Sequence, residues 1–217
     1  MASITRKSSH EAEENRAAVE ARVLAAVEKM LNEGMRYTEV SVQRIILEAK
    51  IARSTFYAHF RDKADVLSRL AAAVRKEVFE AADSVWDAME VSDGVSALTR
   101  IFEQGIAGHR RHFAVLSAIS EMATYDSGVR DFYTSDLDDF ETRVIRDLEN
   151  RRQAGLTAAS LDPAAASKVV VWGGEQAIAR HISTADPSGD AAFARELAEI
   201  WWYGVYCRRQ QPAPPAS

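Results

Sequence analysis

The chain has 217 residues, 47% of them hydrophobic, enough to bury a core in one domain or in a small domain joined to a larger one. Apolar residues are dispersed rather than gathered into a run of about 18 or more, so no membrane span is expected; residues 1–15 carry no apolar signal-like stretch, which makes the cytoplasm the expected compartment. The single cysteine, Cys207, excludes an internal disulfide, and the net charge of −5 argues against a protein that coats nucleic acid indiscriminately.

The charge is uneven along the chain. Residues 1–80 hold 14 Lys and Arg against 12 Asp and Glu, and the remainder holds 13 against 20. Within 36–63, Arg36, Arg44, Lys50, Arg53, Arg61 and Lys63 face only Glu39, Glu48 and Asp62, a local excess of three positive charges that suits phosphate.

After a flexible arm over 1–15, Val19, Val23, Ala26, Val27, Met30 and Leu31 recur at helical spacing and predict a first helix ending near Gly34. Ser41 can cap a second, short helix with Val42, Ile45, Ile46 and Ala49 on one face; a break at 50–52 leads to a third over Arg53–Phe60. Asp62, with Asp65 three residues on, starts a fourth helix carrying Val66, Leu67, Leu70, Val74 and Val78. The rest reads as helices punctuated by glycines, with no strand. Asp162-Pro163 opens a helix running to about Ser183, the 187–190 cluster turns the chain, and a last helix carries Phe193, Leu197, Ile200, Trp201 and Val205 before a disordered tail over 209–217. The fold class is therefore all-α, with about nine helices: a helix-turn-helix domain over 16–62 and a larger helical domain over 63–208.

Two short helices joined by a tight turn and braced by a third present a recognition helix to the major groove of DNA. Ile45, Ile46, Ile51, Phe56 and Phe60 form the expected small core, which leaves Arg53, Thr55, Tyr57, Ala58 and His59 toward solvent or DNA. Arg53 suits phosphate or guanine, the Thr55 and Tyr57 hydroxyls suit phosphate oxygens, and Ala58 is small enough to meet a thymine methyl.

The run from Val42 to Leu67, and within it Thr55-Phe56-Tyr57-Ala58-His59-Phe60-Arg61-Asp62-Lys63, resembles the DNA-binding signature of the TetR family of transcriptional regulators. Two positions depart from that pattern: Lys50 stands where glycine is common, and Ala52 where serine or threonine is. The resemblance implies DNA contacts from Ser41, Arg44, Arg53, Thr55, Tyr57, Ala58, His59 and Lys63. It also implies a ligand cavity in the middle helices, a homodimer through the last two, and double-stranded operator DNA and a small apolar or amphipathic ligand as partners, with no cofactor, metal or catalytic residue.

The C-terminal pattern from Leu197 to Tyr206 further resembles repressors of the mycobacterial ethionamide-monooxygenase type. Carried over by helix position, that relation points to Leu98, Phe102, Ile106, Phe132, Tyr133, Leu137, Phe140, Val171, Gly174 and Glu175 as ligand contacts. Trp172, Gly173, Ala177, Trp201, Trp202 and Val205 are the expected dimer interface. Three successive aromatics, Trp201, Trp202 and Tyr203, cannot all face one protomer's core. Glu175 needs solvent, an arginine such as Arg180, or a ligand, because an unpaired buried carboxylate is expensive. His109 and His112, flanking two arginines, read as solvated. The sequence lacks a phosphate-cradling glycine loop and the hydrolase and metalloprotease motifs, which argues against an enzyme. The rivals are a ligand-binding dimer without specific DNA function and a small helical enzyme.

Overall fold

The structure, a computed structural model, describes residues 3–74 and 94–209. Val78 of the expected fourth helix and the tail beyond Arg209 lie outside the described residues. Nine α-helices and no strand are found among those described: α1 Ser3–Asn32, α2 Val42–Ala49, α3 Arg53–His59, α4 over 63–74, α5 Gly94–Arg111, α6 Phe113–Ala123, α7 Ser127–Gln153, α8 Pro163–Thr184 and α9 Asp190–Trp201. A π-helical turn, Trp202–Tyr206, extends α9. The chain forms two compact units, one of residues 1–75 and 114–133, the other of 76–113 and 134–217.

In the first unit α1 begins at Ser3, inside the stretch expected to be an arm. It buries the stripe Val19, Val23, Ala26, Val27, Met30 and Leu31, as its spacing predicts, and ends where Gly34 turns at φ 87°. The Ser41 hydroxyl accepts the Arg44 N–H at 3.2 Å and caps α2. At the other end of α2, Lys50 adopts the left-handed conformation (φ 52°, ψ 50°), its N–H bonding the Ile46 and Leu47 carbonyls. Ala52 starts α3 without a side-chain cap. The Asp62 and Asp65 carboxylates accept the Asp65 and Arg61 N–H groups at 2.9 and 3.1 Å, the reciprocal cap expected before α4. Val66, Leu67, Leu70 and Val74 of α4 are buried. Thr38 also meets Glu121 of α6, at 3.4 Å.

The second unit packs α5 on α8 and α9. Asp162 caps α8 by accepting the Ala164 and Ala165 N–H groups at 3.0 and 3.1 Å, with Pro163 at the first helical position, where its missing N–H costs nothing. Along α9 and its extension, Ala194, Leu197, Ala198, Trp201, Trp202, Val205 and Tyr206 form one buried stripe. Tyr203 is the aromatic left over, 62% exposed. Over the rings of Trp202 and Tyr206 lies the Arg151 guanidinium, at 5.4 and 5.0 Å, paired with Asp147 at 3.1 Å. Burial pushes the Tyr206 phenol well above its ordinary pKa.

Candidate functional site

The first unit presents the exposed face of α2 and α3. Phe56 and Phe60 are buried and fix the angle of α3, and their rings stack at 5.5 Å. This leaves Arg53, Tyr57 and Ala58 exposed. The Arg53 guanidinium lies over the Tyr57 ring at 5.5 Å, a cation–π contact that holds both side chains on the outer face. Ser41 and Arg44 are exposed at the start of α2, and Thr55 is half-buried.

His59 and Lys63 do not join this face. The His59 side chain, 14% exposed, turns toward the Glu20 carboxylate of α1 at 3.7 Å. Arg69 completes this knot, donating to Glu20 at 3.0 Å and to the His59 carbonyl at 2.9 Å, so that α1 and α4 grip the end of α3. The Lys63 ammonium donates to the carbonyls of Tyr37, Thr38 and Val40 at 3.2, 3.2 and 3.1 Å. All three of its protons are thus taken up inside the unit. The Tyr37 hydroxyl in turn donates to the Lys63 carbonyl, and burial raises the Tyr37 pKa well above that of a free phenol.

In the second unit a cavity of about 80 Å³ opens between α5, α7, α8 and α9. Six of the ten positions expected at a ligand line it: Phe102, Leu137, Phe140, Val171, Gly174 and Glu175. Leu98 and Ile106 are buried in the surrounding core, while Phe132 and Tyr133 belong to the first unit. Ile101, Gly105, His109, Ile178 and Trp201 complete the wall. Its polar element is a pair: His109 Nε2 stands 3.3 Å from Glu175, and His109 Nδ1 donates to the Gly105 carbonyl at 2.9 Å. Glu175 therefore meets a histidine of α5 rather than Arg180, and His109 is mostly buried rather than solvated. Gly174 lies close under Trp201: a Cβ there would come within 3.3 Å of the indole, a tight contact.

Of the expected dimer positions, Trp201, Trp202 and Val205 are packed into the chain's own core, because the apolar stripe of α9 points inward. Trp172 is half-buried and donates its indole N–H to Glu141 at 2.7 Å; Ala177 is half-buried, and Gly173 is exposed. The large apolar side chains exposed along α8, α9 and the π-helical turn are instead Val169, Ile200 and Tyr203.

One ion cluster ties the ends of three helices together. Arg110 of α5 grips Asp190, the first residue of α9, through two bonds of 2.6 and 2.7 Å, and donates to the Ala185 carbonyl after α8 at 3.0 Å. His181 of α8 meets the same carboxylate at 2.8 Å and stacks on Phe193 at 4.1 Å. Hydrogen bonding from Arg110 holds the Asp190 carboxyl below the usual carboxylate range. A carboxylate with a depressed folded-state pKa stabilises the fold above its unfolded value, and that share is lost as pH falls through the folded value. Asp190→Asn is therefore expected to lose about 2 kcal/mol at pH 7, the scale of hydrogen bonds to charged groups. The gap from the parent should narrow in acid, as pH falls through that lowered carboxyl range. Denaturant unfolding at neutral pH and in acid checks this, and a gap of equal size at both would refute the role given to Asp190.

Residues 25–70 match the family described as "Bacterial regulatory proteins, tetR family". No curated protein matches the chain. Among solved structures it is similar to the regulatory protein TetR from Rhodobacter sphaeroides, at 24% identity and a TM-score of 0.60, covering 82% of this chain and 96% of that one. Similar too are PfmR from Thermus thermophilus (19% identity, 83% and 97% covered, TM-score 0.61) and FadR from Bacillus subtilis in complex with stearoyl-CoA (16%, 85% and 98%, 0.65). Residues 25–70 thus match the N-terminal domain of the TetR family, and the described residues, helical with no strand among them, share the fold of solved TetR-family regulators.

Proposed function

We propose that the chain is a ligand-responsive transcriptional repressor that binds a palindromic operator as a homodimer and releases it when a small apolar or amphipathic molecule occupies the second unit. The observation that carries this reading is the α2–α3 pair: a family-matched helix-turn-helix whose exposed face offers Arg44, Arg53, Tyr57 and Ala58 together, on helices fixed by Phe56 and Phe60. Ser41 and Thr55 flank that face. Lys63 and His59 support it from behind.

The mostly apolar cavity with one polar pair supports an apolar or amphipathic ligand, and the stearoyl-CoA held by FadR, a protein of the same fold, is in keeping with that. At about 80 Å³ the cavity is smaller than sites for drug-sized ligands, so a ligand of that size must part the helices around it. That displacement supplies the difference in affinity between ligand-bound and ligand-free states on which release depends. Val169, Ile200 and Tyr203 are the exposed apolar side chains a second copy would cover. The finer resemblance to the ethionamide-monooxygenase repressor type rests on the C-terminal pattern alone.

The test is fluorescence anisotropy with the promoter DNA beside the chain's own gene, against a scrambled duplex at stated salt. Tight selective binding, lost in Arg53→Ala plus Tyr57→Ala while the thermal midpoint holds, is the expected result. Equal binding to both duplexes, and failure to enrich any sequence from a genomic library, would leave a helical dimer without specific DNA function.

A further inference from the structure

We propose that Lys50 is a contact to the nucleic-acid phosphate backbone, built into the turn between α2 and α3, and that its left-handed backbone is kept for the charge it carries. The inference rests on the first unit being DNA-binding, as proposed above.

Lys50 is the one non-glycine residue with positive φ among the described residues, at φ 52°. Its backbone task, closing α2 through the Ile46 and Leu47 carbonyls, is one that glycine performs without the clash a Cβ brings. The side chain does not offset that strain by packing, because Lys50 is exposed. A residue held in a sparsely populated conformation, with its side chain in solvent, points to a use outside the chain.

The chemistry of the surroundings names that use. Lys50 stands three residues before Arg53, the first residue of α3, and Arg44 lies exposed earlier on α2, so the turn sits within a cationic stretch. The carboxylate in this segment is Glu48, and α1 engages it: Lys29 donates to Glu48 at 2.6 Å. Glu48 is thus held first by Lys29, and Lys50 acts on it only as a further nearby positive charge. A lysine ammonium is a compact point charge on a flexible stem, suited to phosphate oxygens rather than to the paired acceptors of a base edge. Lys50 would thus add affinity and fix register without choosing sequence.

The experiment measures binding of the full chain to the promoter duplex and to a scrambled duplex between about 50 and 200 mM salt, with thermal midpoints alongside. Lys50→Gly relieves the turn and removes the charge. Lys50→Asn tolerates the left-handed conformation and removes the charge, and Lys50→Arg keeps it. Lys50→Gly is expected to raise the midpoint by about 3 °C and yet weaken binding to both duplexes about tenfold, flattening the logarithmic salt slope by about one for each phosphate no longer neutralised. Lys50→Asn should bind like the glycine variant, and Lys50→Arg like the parent. Opposite signs for stability and affinity in one variant are not produced by a merely structural lysine. If Lys50→Gly and Lys50→Asn bind as the parent does, with the same slope, the proposal is overturned while the DNA-binding reading stands. An effect confined to the promoter duplex overturns it as well, in favour of base readout. A parent that binds neither duplex overturns both.

Discussion

Lys63→Met is expected to destabilise the first unit by about 3 kcal/mol. Methionine keeps the length and apolar character of the stem but strips the ammonium from the Tyr37, Thr38 and Val40 carbonyls. Hydrogen bonds from a charged donor contribute about 1.5 to 3 kcal/mol each, and partial solvent access at this turn brings the sum down to the value given. The variant also gives up the attraction between the ammonium and the Tyr37 ring, which lie 5.4 Å apart. Denaturant unfolding of the parent and the variant is the measurement. A lysine held for phosphate would behave the other way: its replacement would leave stability alone and flatten the salt dependence of DNA binding. An unchanged unfolding midpoint in Lys63→Met would therefore return this residue to the DNA-contacting face.

Trp201→Ala should cost the second unit about 3 to 5 kcal/mol, the range for truncating a fully packed tryptophan. The indole is 3% exposed, meets Phe102 edge-on at 5.1 Å and lies against the bare Cα of Gly174. Because it also walls the cavity, its removal enlarges a space already lined by Ile101, Phe102 and Val171. Indole added to the variant is expected to restore part of the lost stability in a concentration-dependent way, since a molecule that binds only the folded state shifts the unfolding equilibrium. Thermal unfolding with and without indole reads both effects. A loss under about 1 kcal/mol would show that Trp201 is not an anchor of this core. A full loss without indole rescue would show that the vacated volume collapses rather than joining the cavity.

Features set by neighbours along the chain were legible in the sequence. The stripe of α1, the Ser41 and Asp162 caps, the Asp62–Asp65 reciprocal cap and the exclusion of one aromatic from the core all follow from spacings of a few residues. The strained turn at Lys50 and the missing cap at Ala52 were visible as departures from the family pattern. The directions of His59 and Lys63 were not, because their partners, Glu20 and the Tyr37–Val40 turn, lie far away in sequence. The cavity was legible in part for the same reason. A helix-by-helix correspondence finds Phe102 and Glu175, but it takes the packing of α5 on α8 to bring His109 to Glu175 and turn Trp201 into a wall. The inward face of α9 needed only its period: Leu197, Trp201 and Val205 already lie on one stripe, and bulky aromatics on that stripe are more readily core than interface.

The Arg110–Asp190 cluster has a mechanical consequence for the second unit. It pins the end of α5 to the junction of α8 and α9, whereas the cavity residues Ile101, Phe102 and Gly105 lie further back along α5. A guest of the proposed kind, pressing on Ile101 and Phe102, would meet a helix held at its Arg110 end. The 18 residues of α5 span about 27 Å, so a tilt of about 5° about that held end would carry the Gly94 end through about 2 Å, past Trp202, the scale of helix shift on which switching proteins run.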